Sequence, residues 1–478
     1  MVNRRRSYHT LDKDLGRITH TEVAQAHAFR PIRWLGLAVL VFVIILILFI
    51  PLTGYETRHT ALGAGLIVAA WLGISIGSND VANSLGPAVG AGAIRMLPGL
   101  LLVAVAQIAG AALAGGSVTE RLASDIFDPN LLASGARAQF VMLSALLAAA
   151  VWITMATGIG LPVSTSHSIV GGIAGAGLAA LGFGAIHWGT LSLIAVAWVI
   201  TPFVSGAIAG AILIFLRRRV LEAEDKGRAA RIWLPVMVGV MTGAFTAYLA
   251  LLARPYMHGA MAVPMGIVAA LVGGWITSNR LRDELDIIGG KISTKKILRP
   301  ALVMSAVMLG FAHGANDVAN VAGPFSVILN NATSEHLVTV PLVALLGAGV
   351  TIGLGTVLFG RRLVEMVGSG ITKLNAGRAF CVSLATAGTV LLATWFGLPV
   401  STTHVAIGGI FGVGFTREWL DRKRAQDRDA MPADETRRRI LIRRSHVTTI
   451  TAAWLVTVPA TALIGMAICV LILALTGV

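Results

Sequence analysis

The chain has 478 residues, of which 56% are hydrophobic and only 13% are charged, and its formal net charge is +15. Because soluble domains carry about a quarter charged residues, this composition excludes a soluble globular protein and indicates a membrane protein with many spanning segments. The positive charge does not indicate nucleic-acid binding, because the basic residues gather in a few loops, as in the cytoplasmic loops of membrane proteins. These loops lie at residues 4–6, 217–231, 279–299, 361–378 and 417–444.

The chain begins with a polar, basic stretch at residues 1–32, which we expect to be a cytoplasmic tail. Residues 33–60 hold an apolar run and a short loop, predicted to be an extra N-terminal transmembrane helix that is retained rather than cleaved. Further apolar runs of spanning length include residues 232–253 and 446–475. Since backbone groups in hydrocarbon must be paired internally, the predicted fold class is an all-α polytopic membrane protein.

Two motifs indicate that the chain is internally duplicated. Residues 77–87 (GSNDVANSLGP) recur at 314–324 (GANDVANVAGP) and are identical at 8 of 11 positions. Residues 161–173 recur at 398–410 with identity at 9 of 13 positions, and both pairs are separated by the same 237 residues. We therefore predict a first repeat at 61–216, linking helices and cytoplasmic loops at 217–296, and a second repeat at 297–478 with a charged loop at 417–447.

The placement of charge predicts how each repeat folds. Glycines and Pro87 in the first Asn-Asp motif predict a broken helix. If residues 140–183 crossed the membrane once, the helix at 188–216 would leave its basic loop outside, so we predict a re-entrant hairpin at 140–183. The matching segment of the second repeat lies between two basic loops and is predicted to be a second hairpin. Counting the membrane crossings predicts that the two repeats have opposite orientations in the membrane, as in transporters that bind their substrate near the bilayer midplane. Internal duplication also occurs in membrane channels, which stay an alternative.

Asp80 and Asp317 are the strongest candidates for a functional site. A carboxylate in the bilayer interior costs at least about 2.5–3.5 kcal/mol, so its presence there indicates a function. Four amides flank the two carboxylates, at Asn79, Asn83, Asn316 and Asn320. Oxygen-only ligands suit a hard cation such as Na⁺. The carboxylates could instead carry a proton, or cap helices structurally.

Each copy of the second motif contains three hydroxyl residues followed by a histidine. A Gly-Leu-Pro-Val sequence precedes these hydroxyl residues, so we expect each set to begin a helix, whose free N–H groups and dipole favour an anion. Two such helix starts would surround a tetrahedral oxyanion, unless the hydroxyls only cap their helices. The predicted substrate-binding residues are Ser164, Thr165, Ser166, Ser401, Thr402 and Thr403, with His167 and His404 as hydrogen-bond donors or proton acceptors.

The segments that carry these motifs contain almost no lysine or arginine. An oxyanion bound there would lack a fixed counter-charge, which a cation held by Asp80 and Asp317 could supply, and this predicts obligatory co-transport. His313 also lies beside the second Asn-Asp motif, but Ile76 stands at its place in the first copy, so we do not assign it to the site. No acidic residue lies near the Ser-His sequences, and we predict no catalytic residues and no enzyme activity.

The four motif segments resemble the inorganic phosphate transporter (Pit) family, and the resemblance extends over nearly the whole chain from residue 61 onward. It implies inverted repeats, symport of inorganic phosphate with Na⁺ or H⁺ and no other cofactor, and a homodimer in the lipid bilayer. It also implies that phosphate binds at the hairpin tips. Some members are described as carrying metal–phosphate complexes, and some relatives as sulfate permeases. The cation sites implied by the resemblance, with Na⁺ as candidate ion, are Asp80, Asn83, Asp317 and Asn320.

We interpret the chain as a secondary active symporter that imports phosphate by alternating access. The expected location is a bacterial-type inner membrane, with the N-terminus in the cytoplasm. Two alternatives stay open. A sulfate or thiosulfate permease of the same fold would bind a similar tetrahedral oxyanion, and an anion channel would not need the buried aspartates.

Overall fold

A computed structural model of the chain describes residues 34–45, 57–132, 134–158, 163–253, 258–288, 297–333, 340–366, 375–425 and 444–477. The predicted basic tail at 1–32, the first hairpin tip at 159–162 and most of the charged loop at 417–447 lie outside these residues. All regular elements of the described part are helices, and ten of them are long and apolar enough to cross a bilayer. The prediction of an all-α integral membrane protein is therefore confirmed.

The helices are labelled in chain order, and short 3₁₀ or π-helical turns at Arg121–Asp125, Pro129–Leu131, Phe183–Ala185, Arg217–Leu221 and Gly259–Met261 join some of them. The bounds are α1 Trp34–Ile45, α2 Thr57–Gly90, α3 Met96–Ala114, α4 Gly116–Glu120, α5 Gly135–Gly158, α6 Thr165–Leu181, α7 Trp188–Leu216, α8 Lys226–Leu252, α9 Ala262–Ile288, α10 Arg299–Asp317, α11 Ala319–Thr333, α12 Leu342–Met366, α13 Ala376–Trp395, α14 Thr402–Ala425 and α15 Arg444–Thr476.

Helix α2 runs without interruption through the first Asn-Asp motif, so the predicted broken helix is wrong for that copy. Pro87 stands in the last turn of α2, where its missing N–H removes a hydrogen bond only near the helix end. In the second copy, Val318 alone separates α10 from α11, and its φ of −56° and ψ of −33° remain right-handed helical. The second motif therefore carries only a one-residue irregularity, directly after Asp317.

The motif glycines serve close helix contact rather than helix breaking. Helix α2 packs against α12 of the other half of the chain, and α10 packs against α3. A Cβ atom added at Gly77 would overlap the carbonyl oxygen of Ile352, and one added at the equivalent Gly314 would overlap that of Gln107. Small residues allow helices in a membrane to approach closely and pack by van der Waals contact. Both motif helices are thus held at backbone contact with a helix from the opposite half.

The helices that begin at the Ser/Thr segments also pack against helices of the opposite half of the chain. Helix α6 packs against α15, whereas α14 packs against α7. Gly175 contacts Ala462 at the first interface, and the equivalent Gly412 contacts Gly206 at the second. Equivalent glycines therefore lie at equivalent interfaces, and α6 and α14 are each packed on the half of the chain to which they do not belong.

We predict that Gly314→Ala and Gly77→Ala each destabilise the protein by about 1–3 kcal/mol, because the added methyl group overlaps a facing backbone that cannot easily move. Gly347→Ala on α12 is the matched control, since a Cβ atom there meets nothing within 4 Å. Thermal unfolding in detergent should show lower melting temperatures for the first two variants only. Equal melting temperatures for Gly314→Ala and Gly347→Ala would contradict the packing described above.

Candidate functional site

The four repeated segments meet in one buried region. Asn83 Nδ2 donates a hydrogen bond to Thr403 Oγ1 at 2.9 Å, so the first Asn-Asp motif contacts the second Ser/Thr segment. Asn320 Nδ2 donates to Ser166 Oγ at 3.3 Å, so the second Asn-Asp motif contacts the first Ser/Thr segment. The two Ser/Thr segments also touch, since Ser166 Oγ donates to the Val400 carbonyl at 3.0 Å. Residues separated by 154 to 320 positions in the chain thus form one cluster.

Asp80 and Asp317 lie on either side of a histidine that the sequence reasoning left out. His313 Nε2 is 2.8 Å from Asp317 Oδ2 and 3.7 Å from Asp80 Oδ2. The three side chains are at most 3% exposed, and within the described residues His313 is the only ion-pair partner of either aspartate. His313 was missed because it has no counterpart in the first repeat. Its spacing of four residues from Asp317 on one helix was the signal that could have found it.

Several polar atoms of this cluster are buried without a hydrogen-bond partner among the described residues. They include Asp317 Oδ1 and Asn320 Oδ1. Buried oxygens without a partner are costly, so they mark a place where an ion or another ligand can bind. Ligand atoms of Asp80, His313 and Asp317 lie within 4.8 Å of one another, which is close enough to share one cation.

The two Ser/Thr segments begin helices, as the sequence predicts. Ser164 is the N-cap of α6, and its hydroxyl accepts a hydrogen bond from the His167 backbone N–H at 3.3 Å. Ser401 Oγ accepts the same bond from the His404 N–H at 3.3 Å, at the start of α14. Both first serines are thus engaged in capping. The hydroxyls that follow them point to the Asn-Asp motifs.

Thr402 and Thr403 connect the start of α14 directly to the two carboxylates. Thr402 Oγ1 donates to Asp317 Oδ2 at 3.2 Å, and Thr403 Oγ1 lies 3.3 Å from Asp80 Oδ1. Asn79 Nδ2 also donates to Asp80 Oδ1, at 3.2 Å. Groups able to bind an anion therefore lie within hydrogen-bond distance of groups able to bind a cation.

Asn316 holds in place the tip that joins α13 to α14, at residues 396–401. Its amide nitrogen donates to Thr394 Oγ1 and to the Leu398 carbonyl, both at 3.0 Å. Its amide oxygen accepts from the Val400 N–H, also at 3.0 Å. The tip itself turns at Gly397, which has a φ of +65°. Asn316, which was predicted to bind a cation, is therefore hydrogen-bonded to the backbone of the tip on both sides of its amide group.

His167 and His404 lie next to each other in the first turns of α6 and α14, with ring centroids 4.7 Å apart. His167 stacks on Trp198 of α7 at 3.6 Å, and its Nδ1 lies 2.7 Å from Ser164 Oγ. Trp198 Nε1 in turn donates to the Pro399 carbonyl at 2.8 Å. The two histidines thus link both helix starts to α7.

Residues 76–465 match the Phosphate transporter family, which is most of the chain and includes all four repeated segments. The chain belongs to the Phosphate transporter family. A relative in Helicobacter pylori J99, named "Putative phosphate permease", is 41% identical over 365 residues, covering 74% of this chain and 68% of the relative. The "Inorganic phosphate transporter 2-1, chloroplastic" of Arabidopsis thaliana is 32% identical over 427 residues, covering 83% and 69%.

The fold is also similar to that of a solved phosphate transporter. That structure is titled "The sodium-dependent phosphate transporter" and matches with a TM-score of 0.76 and 30% identity, covering 86% of this chain and 98% of the solved one. The predicted family is therefore confirmed, and it is a family of transporters rather than of enzymes.

We predict that Asn316→Ala destabilises the protein, because it leaves the Val400 N–H and the Leu398 carbonyl without their buried partner, at about 1–3 kcal/mol for each group. Asn331→Ala is the control, since among the described residues that amide nitrogen bonds only within its own helix, to the Val327 carbonyl. Thermal unfolding should give the lower melting temperature for Asn316→Ala. If the two variants melt together, Asn316 does not clamp the tip.

Proposed function

We propose that this protein is a secondary active symporter that imports inorganic phosphate together with Na⁺ or H⁺. The observation that carries the proposal is the contact between the Thr402–Thr403 helix start and the carboxylates of Asp80 and Asp317. A tetrahedral anion at the helix start and a cation at the carboxylates would then lie side by side. Each ion lowers the cost of burying the other, which is the physical basis of coupling.

The chain's own groups divide into two sets. The proposed phosphate ligands are the hydroxyls and N–H groups at the starts of α6 and α14, from Ser164, Thr165, Ser166, Ser401, Thr402 and Thr403, with His167 and His404 behind them. The proposed cation ligands are the oxygens of Asp80, Asp317, Asn320 and Asn83, with Asn79 and Asn316 orienting the motifs. The N-terminal end of each helix also carries the positive pole of its dipole, which favours a phosphate oxygen.

Na⁺ is the coupling ion that the ligand set favours. Carboxylate and amide oxygens are hard donors, and two of them, Asp317 Oδ1 and Asn320 Oδ1, lack a hydrogen-bond partner in the described residues. The solved neighbour is described as sodium-dependent. H⁺ is the second candidate, because His313 contacts both carboxylates and offers a site for a proton.

The packing of each half on the other supports two repeats related by a pseudo-two-fold axis, at residues 61–216 and 297–478, and the placement of basic loops in the sequence favours inverted repeats. Equivalent glycines, such as Gly77 and Gly314, face helices of the opposite half, as a pseudo-two-fold axis requires. We propose that α5–α6 and α13–α14 are re-entrant hairpins and that the repeats rock about the central cluster during alternating access. We further propose a bacterial-type inner membrane, a cytoplasmic N-terminus and a homodimer.

We predict that Asp80→Asn and Asp317→Asn abolish coupled phosphate uptake, because an amide cannot neutralise a bound cation. The measurement is uptake of labelled phosphate into proteoliposomes, with Na⁺ and pH gradients imposed separately. Asp225→Asn is the matched control, since Asp225 is an exposed helix cap and asparagine caps equally well.

The same assay separates the alternatives. Uptake that persists at the full rate without either gradient would refute symport and favour an anion channel. Competition by unlabelled sulfate as strong as that by phosphate would instead identify a sulfate or thiosulfate permease.

We also predict that Thr402→Val raises the KM for phosphate by about tenfold, the equivalent of one lost hydrogen bond of roughly 1.4 kcal/mol. Valine keeps the shape of threonine but removes the hydroxyl. Thr389→Val on α13 is the control, because in the described part of the chain that hydroxyl donates only to the Ala385 carbonyl of its own helix. An unchanged KM in Thr402→Val would remove this helix start from the phosphate site.

A further inference from the structure

One basic side chain lies against the tip that joins α13 to α14. Arg121 begins the π-helical turn Arg121–Asp125, which directly follows α4. A Cβ atom built on Gly397 would lie 3.6 Å from Arg121 Nη2 and 3.3 Å from the Ser117 carbonyl oxygen. Ser117 Oγ also donates a hydrogen bond to the Thr394 carbonyl at 3.2 Å. Helix α4 and the π-helical turn are therefore in direct contact with the tip.

The N–H groups of Arg121 are only partly matched by acceptors. Its side chain is 22% exposed, and its Nε atom is buried without a hydrogen-bond partner among the described residues. Its ion-pair partner in the described part of the chain is Asp125, whose Oδ2 lies 3.6 Å from Nε, which is too far for a hydrogen bond. A guanidinium carries five N–H donors in a planar fork that fits the oxygens of a carboxylate or a phosphate. Arg121 therefore has donors with which to bind an oxyanion beside the tip.

The π-helical turn lies toward the side of the membrane that the basic loops predict to be outside. The Ile126 carbonyl, directly after this turn, accepts a hydrogen bond from the His187 N–H at 2.9 Å, and His187 is the N-cap of α7. Helix α7 has 29 residues and is about 43 Å long, which is enough to cross a bilayer, and its other end continues into the basic turn Arg217–Leu221. The positive-inside rule places that basic turn in the cytoplasm. The turn that carries Arg121 is then at the outer end of α7, from which imported phosphate arrives.

We propose that Arg121 is an outer binding residue for phosphate, whose guanidinium binds the arriving ion beside Gly397 before the ion reaches the hydroxyls at the starts of α6 and α14. Asp125 competes for the same guanidinium, so it limits how tightly the ion is held there and allows it to move on. The four repeated segments contain no lysine or arginine. Arg121 thus supplies the permanent positive charge that attracts a multivalent anion toward the central cluster. The inference rests on the proposed function.

The first experiment measures the KM for phosphate uptake into proteoliposomes with Arg121→Gln and with Asp125→Asn. Arg121→Gln removes the binding charge and should raise the KM by about tenfold, whereas Asp125→Asn removes the competing carboxylate and should lower the KM. An ion pair that only stabilises the fold is broken by either substitution, so it would change the KM in the same direction in both variants. Changes in the same direction, or no change in either variant, would overturn the proposal.

Two further variants are controls for this experiment. Arg121→Lys keeps the charge and should recover most of the affinity that is lost in Arg121→Gln. Arg137→Gln makes the same change of charge in the first turn of α5, where no hydrogen bond or ion pair of the described residues joins the Arg137 side chain to the tip. Its KM should equal that of the wild type. A rise as large as that in Arg121→Gln would show that only the overall charge of this side matters, and the proposal would fall.

The second experiment detects phosphate at Arg121 without transport. Phenylglyoxal modifies arginine guanidinium groups, and mass spectrometry of the purified protein gives the rate of modification at each arginine. Phosphate should slow the modification of Arg121 but not that of Arg137, in the wild type and also in Asp80→Asn, in which coupled uptake is expected to be lost. Protection of Arg121 in a wild type that shows no coupled uptake would refute the proposed symport and support the outer site. Modification of Arg121 at the same rate with and without phosphate would overturn the outer site.

Discussion

The nearness of two buried carboxylates is the constraint on which the rest of the structure depends. Asp80 and Asp317 come from opposite halves of the chain, and ligand atoms of these two residues and of His313 all lie within 4.8 Å of one another. Two full negative charges at that distance repel by roughly 3.5 kcal/mol at an effective dielectric constant of about 20, in addition to the cost of burying each. A bound cation relieves that repulsion and lowers the electrostatic cost of placing an anion beside the carboxylates. The charges of the site thus support the proposed coupling between the two ions.

To keep the two carboxylates this close, the helices that carry them must pack with their backbones almost in contact with neighbouring helices. The glycines at 77 and 314 allow α2 and α10 to pack closely against α12 and α3. Helices α2 and α10 carry Asp80 and Asp317, so the same close contacts position the carboxylates. Side-chain hydroxyls at the starts of α6 and α14 complete the cluster. Packing and function depend on the same interfaces.

The duplicated pattern explains what could be predicted from the sequence. A common spacing of 237 residues identified the four segments that meet, and apolar run lengths located helices such as α7, which spans Trp188–Leu216 as expected. The broken helix predicted at Gly77 and Pro87 was wrong, because a glycine in a membrane helix also serves close packing, which a sequence alone does not distinguish from breaking. His313 was missed because it is not duplicated. Its contact with Asp80 joins two helices that are distant in the sequence, and no local sequence pattern shows which residues of two such helices face each other.

We propose that a cation and phosphate bind to one cluster and stabilise each other. The most direct measurement is calorimetric titration of the purified protein with phosphate over a series of Na⁺ concentrations at fixed pH, repeated over a series of pH values without Na⁺. The account predicts that phosphate affinity rises with Na⁺ or with H⁺, and that phosphate raises the affinity for that cation by the same factor, as reciprocal linkage requires. Phosphate affinity that is the same under all these conditions would contradict it.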